Sequence, residues 1–255
     1  MYVSEPPIQD IVFISLCARR MRSCWLFHFP YILSICLVLL VPSVINFLWL
    51  RHARARVLIF SLVSAFIFAP PVELAARLAN AWDVQSVFPR IFGLVPLENM
   101  LFAFLNFLWA LSFYEYFIDK DHAQRHLSRY FKFLVGLYVI FAGVIFSLYF
   151  YDSTTVSLQY MILAVIVLFI PALLIFGHRP ALIKKTLIPT LFFALVFFVY
   201  EIVSLLVGSW WWPGEYVFPV MLFGHTFPID DIIIWYFVST PVLIGGYEFF
   251  ADDDK

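Results

Sequence analysis

Seven stretches of about 20 mostly apolar residues dominate the chain, at roughly 30–50, 56–79, 95–118, 129–151, 156–177, 184–208 and 227–250. That is the length a helix needs to cross a bilayer's hydrocarbon core. The sequence therefore predicts an all-α integral membrane protein with seven transmembrane helices. Composition agrees, since 64% of the 255 residues are hydrophobic and 13% are charged, about half the charge of a soluble domain. Residues 1–29 form an N-terminal extension in which Arg19, Arg20 and Arg22 cut short a weaker apolar stretch. It reads as an interfacial segment, or as sequence upstream of a true start at Met21.

Alternating the spans assigns the basic residues to two sides. Arg51, Arg54, Arg56, Lys120, Arg125, Arg129, Lys132, Arg179, Lys184, Lys185 and Lys255 share one side; Arg77, Arg90 and the three N-terminal arginines share the other. Eleven against five predicts a multi-pass protein of the cell membrane with its N-terminus outside and its C-terminus cytoplasmic. A formal net charge of −1 leaves no basic field for nucleic acid. Cys17, Cys24 and Cys36 have neither disulfide nor zinc spacing, and apolar packing is their expected role.

The chain repeats itself. VPLENMLF from Val95 recurs as FPIDDIIIW from Phe227, and the helices they open end in matching tails, YEYFIDKD from Tyr114 and YEFFADDD from Tyr247. Glu73 precedes Trp82 by the same interval as Glu201 precedes Trp210, and YILSICLVLLVP from Tyr31 parallels YMILAVIVLFIP from Tyr160. The offset stays between about 128 and 133, with the landmarks in one order. This predicts a parallel 3+1+3 arrangement: a first repeat over 30–118, a connecting fourth helix within 119–155 and a second repeat over 156–255. In such a repeat Glu98 and Asp230 lie at equal depth, near the outer face, facing a shared cavity.

Carboxylates within a membrane are costly and mark function by default. Here they are Glu73, Glu98, Glu201, Asp230 and Asp231. An acid in the first turn also caps a helix and answers its dipole, and Pro96 and Pro228 suit that position. The doublet Asp230–Asp231 exceeds what capping needs. Glu73 has Arg77 four residues on as a same-face partner. Glu201 has no such neighbour, so its partner comes from another helix or it keeps its proton. Glu115 and Glu248, in the tails, are expected to be solvated at the interface. Trp82, Trp210, Trp211 and Trp212 sit in outer loops and serve either as an aromatic belt or as a cation-stabilising lining. Trp109 and Trp235 lie inside helices, where packing is the common role. His225 reads as a loop residue.

No lysine in the last helix is placed for a Schiff base. No Gly-rich phosphate loop, H-E-x-x-H or G-x-G-x-x-G is present, so neither cofactor nor bound metal is expected. Paired acids, aromatics and an apolar cavity suit proton chemistry on a lipid-soluble substrate.

The duplicated Pro-x-acid-acid signature, here PLEN and PIDD, each opening a helix that ends in Tyr-Glu, resembles that of the membrane lycopene cyclases of the heterodimeric or fused two-half type. The resemblance spans roughly residues 30 to 252. It implies an isomerase of carotenoid biosynthesis that closes rings at the ends of lycopene or a related long apolar polyene within the lipid bilayer, without redox change or cofactor. It also implies association with other enzymes of that synthesis. Carried over residue by residue, the catalytic acids are Glu98, Asp230 and Asp231. Asn99 stands where the family has a second acid. Asn99, Glu73, Glu201, Trp82, Trp210 and Trp235 are the supporting or substrate-binding candidates. Two other classes remain open: a small transporter built from parallel repeats, and a non-catalytic polyene-binding membrane protein.

Overall fold

A computed structural model describes residues 31–78, 80–91, 93–120, 129–151, 162, 164–214, 216, 218–229 and 232–251. The N-terminal extension, with Cys17 and Cys24, lies outside them. Helix α1 runs Tyr31–Trp49, α2 Arg54–Leu78, α3 Leu97–Asp119, α4 Arg129–Tyr151, α5 Val165–His178 and α6 Leu182–Leu206. Helix α7 joins Ile232–Tyr236 to Phe237–Phe250.

Five of these stretches are long and apolar enough to cross a membrane: Tyr31–Trp49, Arg54–Arg77, Leu97–Asp119, Leu182–Leu206 and Ile233–Phe250. The fourth and fifth expected spans fall short of that measure. Among the described residues the apolar stretch is Gly136–Ile145 in α4 and Val165–His178 in α5. The distribution of residues across the helices is that of a multi-pass membrane protein. Ile59, Phe66, Ile67 and Leu195 lie more than half exposed on the outside, while Ser43, Ser61, Ser112, Glu201, Ser204 and Glu248 are buried. Water would favour the reverse, whereas lipid tolerates an apolar exterior and drives polar groups inward.

Helix α3 packs against α1 and α2, α7 packs against α5 and α6, and α3 also meets α6 and α7. Ser43 Oγ donates to the Leu105 carbonyl at 2.9 Å, tying α1 to α3. Ser34 and Tyr200 share a 3.0 Å hydrogen bond between α1 and α6. Aromatic edges fill the centre, as where Trp109 meets Phe193 at 5.1 Å, a contact worth about 0.5–1.5 kcal/mol beyond its area. At Gly245 an added Cβ would collide with Cγ2 of Ile175, so α7 approaches α5 as closely as it does only because that residue has no side chain.

Proline shapes two helices alike. Pro42 and Pro171 lack the N–H that an α-helix would direct to the carbonyl four residues back. Just before each, the helix widens by one residue per turn, over Cys36–Leu40 and Val165–Phe169. The N–H of Val41 then reaches the Cys36 carbonyl and that of Ile170 the Val165 carbonyl, which keeps the ladder satisfied in a medium without water.

The connections at one end of the bundle carry short strand pairs, which the all-α expectation did not include. Strand β1 (Asp83–Val84) pairs with β4 (Trp210–Trp211), β2 (Arg90–Ile91) with β3 (Val95–Pro96), and β5 (Pro219–Leu222) with β6 (His225–Pro228). The β1–β4 pair sets Asp83 opposite Trp211 and Val84 opposite Trp210, joining the loop after α2 to the loop after α6.

Candidate functional site

Two helix ends bring the site together. Helix α2 closes with Asn80 in the left-handed region, its N–H on the Arg77 carbonyl and that of Ala81 on the Ala76 carbonyl. Helix α6 closes the same way, with Gly208 left-handed and the N–H groups of Gly208 and Ser209 on the carbonyls of Leu205 and Ser204. Such a reversal satisfies the last carbonyls and turns the chain back along the helix. Trp82 thereby returns over α2, and its indole N–H donates to Glu73 Oε2 at 3.1 Å. The Asn99 amide, from the first turn of α3, donates to the same oxygen at 2.7 Å.

Arg77, the expected partner of Glu73, is engaged elsewhere. It pairs with Asp83, which also takes Arg90 at 2.9 Å. The two arginines and Asp83 form an ionic bracket beside Glu73. With Glu73, Trp82 and Asn99 they line a narrow cleft.

On the other side Glu201 is buried in α6. The indole of Trp212 donates to its Oε1 at 3.2 Å, and the hydroxyl of Tyr236, on α7, donates to Oε2. Equal spacing from the glutamates singled out Trp210, but the donor is Trp212. Trp210 instead packs among Tyr31, Phe102 and Tyr200 at 5.7–6.0 Å. The reason is β4: pairing with β1 fixes the backbone at Trp210 and Trp211, and the first side chain past that pair to reach Glu201 is Trp212. Trp82 meets Trp212 edge-on at 6.2 Å and Trp235 at 5.4 Å. Glu73, Trp82, Trp212 and Glu201 thus form one continuous chain of contacts, with Trp235 against it.

Glu98 is fully buried and occupied. Its carboxylate accepts from Ser86 Oγ at 2.7 Å and from the backbone N–H groups of Val87 and Phe88 at 2.5 and 2.8 Å. It clamps the loop over the first turn of α3. Asp230 and Asp231 lie outside the described residues. His225 is exposed on β6, as a loop residue would be, and Trp109 packs in the core. The Tyr31 hydroxyl and the indole nitrogens of Trp210 and Trp235 are buried with no hydrogen-bond partner among the described residues.

At the opposite end the expectation for the tails is overturned. Glu115 and Glu248 are not solvated; they are 2% and 0% exposed. Tyr114 donates to Glu248, and Tyr247 donates to Glu115. Arg56 stands 3.5 Å from Glu115, while Lys185 binds Asp119 at 2.6 Å and lies 3.9 Å from Glu248. The ends of α3 and α7 converge, so each glutamate meets the other tail's tyrosine before it meets water.

Sequence reasoning placed Trp212 only among the outer-loop tryptophans, without tying it to Glu201, and missed Tyr236 and Asp83. The run Trp210–Trp212 offered a signal for the Trp212 contact. Tyr236 had none, because its partner lies 35 residues away on another helix. Among the described residues no cluster of three or more His, Cys, Asp or Glu is arranged to hold a metal. No family model, curated protein or solved structure matches the chain.

Proposed function

We propose that this membrane protein is an acid-catalysed, redox-neutral cyclase of long apolar polyenes, of the lycopene cyclase type, built as a parallel 3+1+3 repeat. The observation that carries the reading is the pair Glu73 and Glu201, two carboxyl groups on helices of different halves, each bonded to an indole, with those indoles in edge contact. Ring closure needs a proton delivered to a terminal alkene, attack of a neighbouring alkene on the resulting carbocation, and loss of an adjacent proton. Carboxyl groups serve both proton steps, and ring faces stabilise the cation between them. Both hydrogen bonds to Glu73 fall on Oε2, so Asn99 and Trp82 hold one oxygen while Oε1 handles the proton. Tyr236, able to donate or accept, serves Glu201 likewise. In this reading Asp230 and Asp231, from the second motif, supply the proton, and Glu98 anchors the loop that covers the site.

Four features support the repeat. The paired prolines follow matching widened turns, and the paired helix ends share one closure. The dipeptide Phe-Gly, at 92–93 and 223–224, precedes each acidic motif in the sequence. The Tyr-Glu tails exchange hydrogen bonds reciprocally. The surplus of basic residues at the Tyr-Glu end makes that end cytoplasmic in this reading.

One observation favours a non-catalytic polyene-binding protein: the carboxylate of Glu98, the family's first acid, is consumed by its loop. Expression in a lycopene-accumulating bacterium, with pigments separated by chromatography, decides between the two. The proposal expects cyclised products. Lycopene that co-purifies with folded protein but stays unchanged contradicts it.

A further inference from the structure

From Tyr216 to Ile229 the chain has no charged residue and one histidine, with Glu215 and Asp230 marking the limits. Within it β5 and β6 form a hairpin with Leu222 opposite His225 and a two-residue turn, Phe223-Gly224. Both turn residues have positive φ, 51° and 82°. Turns of this hand favour Asn-Gly, because a side chain at the first position crowds its own backbone. Here that position holds phenylalanine, 72% exposed, flanked by Met221 at 67% and Phe218 at 61%. In water such a tip combines a backbone cost with an exposed apolar cluster.

The depth of the hairpin resolves this. Phe227, in β6, is fully buried and meets Phe198 of α6 at 6.1 Å. Phe198 lies eight residues before the end of α6, about 12 Å along the helix axis at 1.5 Å per residue. Phe198 is next in sequence to Val199 and three residues from Leu195, both exposed on the outside of the bundle. Phe227 is three residues from Gly224, about 10 Å of strand. Pointing straight outward, the tip therefore comes to about the level of the end of the membrane-crossing helix beside it. Among the described residues Ile229 and Ile233, on either side of the step into α7, are also exposed.

We propose that the β5–β6 hairpin is an interfacial membrane insertion, with Phe218, Met221 and Phe223 seated at the boundary between lipid headgroups and acyl chains. Phe223 tolerates its left-handed backbone because its ring is buried in lipid rather than exposed to water. The unpaired strand edges find headgroups and water at that depth. The hairpin ends at Pro228 and Ile229, so its insertion sets the approach to α7 at the membrane boundary. The inference stands on the geometry of the hairpin and does not need the catalytic reading.

Spin labels test it. Cysteine is placed singly at 223, 221 and 218 in the full chain with the native cysteines replaced, and the labelled protein is held in phosphatidylcholine nanodiscs. Collision with oxygen, which concentrates in lipid, is compared with collision with a water-soluble nickel complex. References are a label at Leu195, on the outside of α6, and one at His52, an exposed turn residue. The expected oxygen-to-nickel ratio at 223 and 221 is at least threefold above that at 52 and approaches that at 195. A smaller excess at both sites overturns the proposal. If the 223 variant fails to assemble, the labels at 218 and 221 decide the matter on the same threshold.

Discussion

Two carboxylate pairs stand at opposite ends of one bundle and are held in different ways. At one end Glu115 and Glu248 take tyrosine hydroxyls from each other's helix in a closed exchange, with Arg56 and Lys185 at its edge. Both halves use the same residue types at the same places. At the other end Glu73 and Glu201 each hold an indole, but the remaining donors differ: an amide from Asn99 on one side and a phenol from Tyr236 on the other. Reciprocal tyrosine contacts suit a clasp that fixes α3 against α7. Unequal contacts suit two groups with different tasks. We infer that the tyrosine end holds the bundle and the tryptophan end performs the chemistry.

The largest expected effect falls on the tryptophan end. Glu201→Gln and Glu73→Gln keep the shape but remove the titrating proton, and each should lower cyclised product at least 100-fold per folded protein, read by chromatography. If either variant keeps more than a tenth of the activity, that glutamate has no proton role. Next comes stability at the tyrosine end. Tyr114→Phe with Tyr247→Phe removes two hydrogen bonds to buried carboxyl groups, each worth about 1.5–3 kcal/mol. The double variant should melt several degrees lower in detergent, while the protein that remains folded retains its activity. An unchanged melting temperature would mean that the exchange is no clasp.

The two ends also differ in how far the sequence revealed them. The Tyr-Glu repetition is plain in the chain, but its reciprocal bonding is not, because a repeat does not say which tails converge. The link from Glu73 to Trp82 was legible as a spacing, since a helix closing on a left-handed residue turns the chain back over its last turns. The same spacing carries no such contact in the second half, where a strand pair commits Trp210 and Glu201 takes its indole from Trp212. Arg77 was a sound local partner for Glu73, yet Asp83, six residues on, outcompetes it. Apolar run length marked the five long spans well. For the fourth, the helix Arg129–Tyr151 covers the expected range, and the start of the fifth lies outside the described residues.

Smaller effects sharpen the comparison further. Gly245→Ala forces a Cβ against Ile175 and should cost about 1–3 kcal/mol by overpacking. Ile175→Ala in the same chain, which removes the colliding Cγ2, should recover part of that loss in thermal melting, and no recovery would show that the α5–α7 approach does not depend on this contact. The finest distinction is between neighbouring tryptophans. Trp212→Phe should reduce activity about tenfold by releasing one oxygen of Glu201, whereas Trp210→Phe should reduce it less than threefold. The reverse order would make Trp210, and not Trp212, the indole on which activity depends.

The most direct measurement sets the two ends against each other in one assay. Glu201→Gln and Glu248→Gln are expressed in the same lycopene-accumulating strain, and cyclised pigment is divided by the amount of folded protein. The account predicts loss of product in the first and a yield per folded molecule within about threefold of the parent in the second. Equal loss in both, or loss only in the second, contradicts it.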